Sequence, residues 1–221
     1  MQLDLIYYII ITNNKLQTQI VHIIVLYDSI KIQLERFDSK MNFIEKTISR
    51  EEIFNGKVIN VHVDDVVLPN GKISKREVVD HRGGVCIAAL TSEDELLFVK
   101  QYRYPYKEVI FELPAGKLEG DLDPLENGKR ELKEETGAYS ENYVYMGKLY
   151  PSPGYTGEII YMYFCKVSGF SDLNPDEDEF LEVCKIPLDE AVNMVLENKI
   201  FDAKTQVLVL KVASLKNKGL L

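Results

Sequence analysis

The 221-residue chain lacks a basic excess: 26 Lys and Arg stand against 35 Asp and Glu, a net charge of −9. A protein that grips nucleic acid through backbone phosphates needs a basic face to neutralise them, so the charge balance argues against that class. Cysteine is scarce. Cys86, Cys165 and Cys184 are odd in number, far apart and form no Cys-x-x-Cys pair, so neither a zinc knuckle nor a redox dithiol is encoded. Isolated cysteines in apolar stretches read as small core residues, and a reducing, cytoplasmic setting fits them. No uninterrupted apolar run reaches the ~18 residues needed to cross a bilayer. Leu5–Thr12 is apolar but short, without the basic start or small-residue cleavage site of a secretory signal. No Gly-x4-Gly-Lys-Ser/Thr loop occurs, which leaves an ATPase without support. His22, His62 and His81 have no Ser or Cys partner in a recognisable arrangement and read as surface or strand histidines.

What is present divides at residue 41. Residues 1–40 contain no Gly and no Pro, carry no net charge, and include runs such as Ile6-Tyr7-Tyr8-Ile9-Ile10-Ile11. Such β-branched sequence without turn residues is an aggregation hazard when unpaired. We read 1–40 as an extension that is not native, with Met41 as a candidate start; a genuine strand pair or helix remains the other reading. The whole charge of −9 then falls on 41–221, divided into a β subdomain over 41–83 and the main domain over 84–221. At 46% hydrophobic and 28% charged residues, the composition is that of an ordinary globular protein.

From Lys57 onward the patterning predicts strands at Val58–Leu68 and Ile73–His81, joined by Pro69-Asn70-Gly71-Lys72, where Asn-Gly is a strong hairpin signal. Val85–Leu90 and Glu95–Gln101 form a second pair, and Val109–Leu113 is a short strand stopped by Pro114-Ala115-Gly116. A helix follows, with Asp123 at its N-cap, Pro124 at its first position, Glu126 completing a capping box and Gly137 as its stop. Strands return at Tyr143–Leu149, Ile159–Val167 and Leu181–Ile186. Helices at about Asp189–Glu197 and Asp202–Lys216 close the chain. This order does not alternate as a doubly wound parallel sheet would, and it predicts an α+β fold or mixed-sheet α/β sandwich.

The chemistry concentrates on the first helix. At ~100° per residue, Glu131, Glu134 and Glu135 share one sector beside an apolar stripe of Leu125, Gly128 and Leu132, which places the carboxylates at the rim of the buried face. The like-charged pair Glu131 and Glu135 costs roughly 0.2–0.5 kcal/mol even when exposed. A hard divalent cation reverses that sign by taking oxygen ligands from both. A solvated, charge-rich helix is the other reading of such a sequence.

The spacing of Gly116, Arg130, Glu131, Leu132, Glu134, Glu135 and Gly137 resembles the Nudix box, G-x5-E-x7-R-E-U-x-E-E-x-G-U, with U a bulky aliphatic residue. Asn55-Gly56-Lys57-Val58, Lys75-Arg76-Glu77-Val78-Val79, Val99-Lys100-Gln101-Tyr102-Arg103, Glu112-Leu113-Pro114-Ala115-Gly116-Lys117, Ser152-Pro153-Gly154-Tyr155 and Asp202-Ala203-Lys204-Thr205 look like the bacterial ADP-ribose pyrophosphatase subfamily. Together they extend the likeness over about 41–215. One position departs: Leu122 stands where the box has Glu, which leaves Arg130 without that partner, with Asp121 and Asp123 flanking the gap.

The resemblance implies a Nudix-type mixed-sheet α/β/α sandwich with an N-terminal antiparallel hairpin. It implies Mg²⁺ (or Mn²⁺) held by Glu131, Glu135 and the Ala115 carbonyl, with Glu134 assisting, Arg130 in the catalytic machinery and Glu179 as a further metal contact. Glu177, in the acidic stretch Asp176-Glu177-Asp178-Glu179, aligns with the general base. As a calcium loop that stretch fails, because Glu177 stands where Gly is required. Arg103 and Arg76 resemble positions that grip the diphosphate or terminal ribose, and Glu112 and Glu158 are weaker candidates for ribose or metal-water contacts. The expected activity is metal-dependent hydrolysis of ADP-ribose, or a related nucleoside diphosphate sugar, to AMP and ribose 5-phosphate by a cytoplasmic homodimer that takes neither nucleic acid nor membrane as partner. The alternative is a catalytically weak Nudix domain that binds a nucleotide and regulates something else.

Overall fold

The computed structural model describes residues 43–120, 122–172 and 180–221. The expectations for 1–40, for Asp121 and for most of the acidic stretch lie outside them. Two compact units are formed, one containing residues 43–46 and the hairpin tip Val66–Ser74, the other made of Thr47–Asp65 and Lys75–Leu221.

Strands β1 (Lys46–Asn55), β2 (Ile59–Val67) and β3 (Ile73–His81) form a three-stranded sheet in that order. At the β2–β3 turn Gly71 has φ 81° and donates its N–H to Leu68 O, as the Asn-Gly signal predicts. Alternation along β2 turns His62 and Asp64 inward. His62 is therefore a buried histidine rather than a surface one, lying between Asp64 (Nδ1 to Oδ1, 3.0 Å) and Asp80 (Nε2 to Oδ2, 3.3 Å). Arg50 forks onto Asp64 at 2.9 and 3.0 Å, and these hydrogen bonds hold the Asp64 carboxyl below its ordinary range.

The main sheet has seven strands. Its central order is β12 (Leu181–Pro187), β5 (Glu95–Arg103), β4 (Gly84–Leu90), β10 (Ile160–Lys166) and β9 (Tyr143–Leu149), with β6 (Glu108–Glu112) beside β5 and β7 (Ala115–Lys117) beside β4. β10 runs parallel to β4, in register from Ile160 opposite Gly84 to Lys166 opposite Leu90, while the other pairings in this sheet are antiparallel. The sheet is thus mixed, as expected. β7 departs from expectation: Pro114 reads as a terminator, yet only its own N–H is lost, and the next three residues pair with β4. A two-stranded ribbon joins β8 (Ala138–Tyr139) to β11 (Gly169–Phe170).

Both faces of the sheet are covered, which is why β4 reads as a continuous apolar run. Cys86, Ala88 and Leu90 pack on one side with Leu208, Val209 and Val212 of α3 (Ala203–Asn217) and Ala191 of α2 (Leu188–Leu196). Val85, Ile87 and Ala89 pack on the other with Leu132 of α1 (Pro124–Thr136). Helix α1 begins as the sequence predicts, with the Asp123 carboxylate accepting the Leu125 N–H at 2.8 Å, and ends at Gly137, φ 71°. The Glu126 side chain pairs with Lys129. Cys86 and Cys165 are buried in the core, whereas Cys184 is half-exposed. No helix among the described residues is long and apolar enough to cross a membrane.

Candidate active site

A cleft of about 700 Å³ opens where the start of β4, the end of β5, β7, helix α1 and the first turn of α3 meet. Glu131, Gly116, Ala115, Arg103, Glu158 and Lys204 line it, together with His81 and Gln101. The closeness of β7 to α1 sets its floor. A Cβ on Gly116 would lie 2.0 Å from Glu131 Cδ, so this position admits no side chain while Glu131 keeps its place. One residue earlier, the Ala115 N–H donates to Glu135 Oε2 at 3.1 Å. Helix and strand are thereby joined through two of the three clustered glutamates. Glu131 and Glu135 are 8% and 2% exposed, deeper than the rim position their helical sector predicts, because β7 covers them.

Arg130 corrects a second expectation. Leu122 is exposed and makes no pair with it, yet the guanidinium is not left without carboxylates: Nη2 lies 2.6 Å from Glu131 Oε1 and 3.6 Å from Glu119 Oε1, and Nη1 lies 2.5 Å from Glu134 Oε2. Burial works against the cation, but Glu131, Glu134 and Glu119 outweigh it and keep the guanidinium above its ordinary value. Of the two flanking aspartates, Asp123 is committed to the helix cap. Glu119 is brought round by Asn127, a fully buried α1 residue whose Oδ1 accepts the Glu119 N–H at 3.1 Å.

In the β5–β6 pairing Arg103 stands opposite Glu108 and Glu112 opposite Val99, so the two side chains meet by reaching along the strands. The Arg103 fork reaches both Glu112 oxygens, Nε to Oε1 at 2.5 Å and Nη2 to Oε2 at 2.9 Å. Glu112 is only 2% exposed and also accepts from the Lys204 ammonium, which in turn reaches Asp202 Oδ1 at 2.9 Å. Burial pushes the Glu112 carboxyl up, but Arg103 and Lys204 together hold it below the ordinary carboxylate range. Lys204 is shifted the opposite way, raised because Asp202 and Glu112 outweigh its burial.

Glu158 reaches the cleft edge because the Ser152–Thr156 turn is bridged to β3, with the Val79 N–H donating to Tyr155 O at 2.8 Å. Its Oε1 lies 3.5 Å from His81 Nδ1. Arg76 sits on β3 and is not among the residues lining the cleft; its Nη1 donates to Lys75 O. Glu177 and Glu179 lie outside the described residues. His81, Gln101, Asn127, Glu119 and Lys204 carry no role in the sequence reading. Gln101 and Lys204 have a signal there, in Val99-Lys100-Gln101-Tyr102-Arg103 and Asp202-Ala203-Lys204-Thr205, and neither signal reveals that the Lys204 ammonium faces Glu112, 92 residues away.

Among the described residues, no three His, Cys, Asp or Glu side chains converge as a ready ligand set. The donors beside the cleft floor, Glu131 and Glu135 with the Ala115 carbonyl, are nonetheless all oxygens. That chemistry fits a hard divalent cation that uses one or two carboxylates and fills the rest of its shell with water and phosphate oxygens.

Comparison with known proteins gives the arrangement a context. A Nudix domain profile matches residues 80–209, and the profile of a nucleoside diphosphate sugar hydrolase N-terminal domain matches 45–79. The chain is 45% identical to a methanol dehydrogenase activator of Bacillus methanolicus over 171 residues, covering 76% of this chain and 91% of that one. It is 44% identical to an ADP-ribose pyrophosphatase of Bacillus subtilis over 163 residues, 73% of this chain and 88% of the other. A GDP-mannose pyrophosphatase of Yersinia enterocolitica is 29% identical over 174 residues, covering 72% and 91%. A crystal structure of an ADP compounds hydrolase superposes with a TM-score of 0.72 at 20% identity, covering 83% of this chain and all of that one, which is a likeness of fold.

Proposed function

This chain belongs to the Nudix family and is a hydrolase of nucleoside diphosphate sugars, and we propose that its substrate is ADP-ribose, cleaved to AMP and ribose 5-phosphate. The observation that carries this is the junction of Glu131, Glu135, Ala115 and Gly116 at the floor of a cleft whose wall presents Arg103. Nudix hydrolases generally use divalent metal ions; here the ion is Mg²⁺, with Mn²⁺ as a substitute. Bound there, it neutralises charge on the diphosphate and sharpens the attacking water.

The chain's own residues then divide the work. Glu131, Glu135 and the Ala115 carbonyl, with Glu179, are the ligands that would hold the ion. Arg130 steadies Glu131 and Glu134 so that their carboxylates keep one orientation. Arg103 offers its remaining N–H donors to the diphosphate, a task suited to a planar fork, and Glu158 takes the sugar end, while Arg76 stands outside the cleft lining and is given no contact there. Glu112 serves the diphosphate through Arg103, since its own oxygens are engaged by Arg103 and Lys204. Glu177 accepts the proton of the water as that oxygen bonds to one phosphorus and the P–O–P bridge breaks. Residues 84–221 form the hydrolase domain and 41–83 a β subdomain through which two copies pair, as exposed Ile48, Ile53 and Phe54 on β1 suit. Three unpaired cysteines support a cytoplasmic setting.

Leu122, with the relative named as a dehydrogenase activator, favours a second reading: a domain that binds its nucleotide, turns it over weakly and regulates a partner. Product analysis decides between them. Purified protein with Mg²⁺ is incubated with ADP-ribose and, separately, GDP-mannose; AMP and ribose 5-phosphate formed faster than GMP support the proposal. Saturable ADP-ribose binding without AMP release refutes it in favour of the second reading.

A further inference from the structure

Helix α3 enters the cleft by its first turn, and its contacts there are unusually committed for a helix end. Asp202 caps the helix, its Oδ2 accepting the Thr205 N–H at 2.9 Å, while its Oδ1 holds the Lys204 ammonium at 2.9 Å. Fully buried Thr205 accepts the Leu113 N–H at 2.9 Å, tying that turn to the residue after Glu112. Lys204 then reaches Glu112, and Glu112 holds Arg103. The result is a chain of alternating charge, Asp202–Lys204–Glu112–Arg103, whose first three members are largely withdrawn from solvent and whose last is 39% exposed in its side chain and lines the cleft.

We infer that Lys204 and Asp202 are positioning residues for Arg103: they fix the Glu112 carboxylate so that the guanidinium presents its free N–H edge at one angle to the diphosphate. The inference rests on reading the cleft as a diphosphate site. Its physical basis is that a carboxylate held only by Arg103 can swing together with it, because one fork pair has freedom about the Glu112 side-chain torsions. A second cation on Oε2, anchored to a helix cap, removes that freedom. Lys204 itself is poorly placed as the main ligand contact, since its side chain is 12% exposed and its ammonium is engaged by two carboxylates.

Misplacing a group that orients substrate by about 1 Å costs up to a hundredfold in rate. Lys204→Met should therefore lower kcat for ADP-ribose about tenfold to a hundredfold with a smaller change in KM. In an Arg103→Met background the same substitution should change kcat/KM by less than about twofold, because no guanidinium remains to be aimed. Losses that add across the two sites would mean that Lys204 touches substrate itself and would overturn the inference. A second readout needs no substrate. The Arg103 Nε–H resonance, held by Glu112, should exchange with water at least about tenfold faster in Lys204→Met, and unchanged exchange overturns the inference whatever the activity. If Lys204→Met does not fold, Asp202→Asn keeps an N-cap acceptor and removes the charge behind Lys204, and both readouts should move the same way. A wild-type protein that releases no AMP from ADP-ribose defeats the functional reading, while the exchange result still decides this one.

Discussion

Gly116 and Glu131 meet so closely that the glycine's missing side chain is itself part of the site. Gly116→Ala forces the Glu131 carboxylate out of its place. We expect a loss of about 1–3 kcal/mol from overpacking, together with a loss of activity out of proportion to it, as read by urea unfolding and AMP release on the same sample. Retained turnover would mean that Glu131 works from another position. Leu122 offers the converse test: it is exposed, so Leu122→Glu should leave stability within about 0.5 kcal/mol and raise kcat if Glu119 is only a partial partner for Arg130. An unchanged kcat would show that Glu119 already suffices. At this scale the three glutamates were legible from spacing, because a helix converts sequence intervals into angles, whereas Arg130 was legible only through the resemblance to the Nudix box. The Glu119 and Lys204 contacts were not, since they depend on the path of residues 117–120 and on a helix entering from 92 residues away.

Between elements, the fit of α1 on the sheet is set by Gly128, where a Cβ would stand 2.8 Å from both Ile87 Cδ1 and Val85 Cγ2. Gly128→Ala improves intrinsic helix propensity by about 1 kcal/mol, yet the clash with a packed strand should win and leave a net destabilisation of about 1–2 kcal/mol in urea unfolding. A net gain would show that the helix can move off the sheet. Glu112 joins β6 to β5 and α3, and its stability contribution has a definite pH sense. The carboxyl is held below its ordinary value, so the contribution is complete above the unfolded glutamate pKa of about 4.3 and is lost as pH falls through the lower folded value. Glu112→Gln should cost about 3 kcal/mol at pH 7, with the gap to wild type closing below about pH 4; a gap that stays constant would contradict the pairing. Strands β2, β4 and β10 were legible at this scale because β4 is apolar throughout, β10 is apolar up to Lys166 and β2 alternates, whereas β1, β8 and β11 carried no such signal. The sequence could not reveal β7, where a proline masked three pairing residues, nor the depth to which β7 buries Glu131 and Glu135.

For the molecule as a whole, the packing of both sheet faces predicts the behaviour of the thiols. Cys86 is fully buried, and burial pushes the Cys165 thiol up to about 12, so native protein should react with an aromatic disulfide reagent only at Cys184. Rapid labelling of all three would show that the core opens. The central claim is narrower: the carboxylates joined to β7 act together with a divalent ion on a diphosphate. It is tested most directly by AMP release from ADP-ribose as Mg²⁺ is titrated, for wild type and Glu135→Gln side by side. The account predicts saturable activation of the wild type, abolished by EDTA, and a Glu135→Gln rate lower by about 10²–10³-fold at every Mg²⁺ concentration. Turnover that persists in EDTA, or a variant that matches wild type, would contradict it.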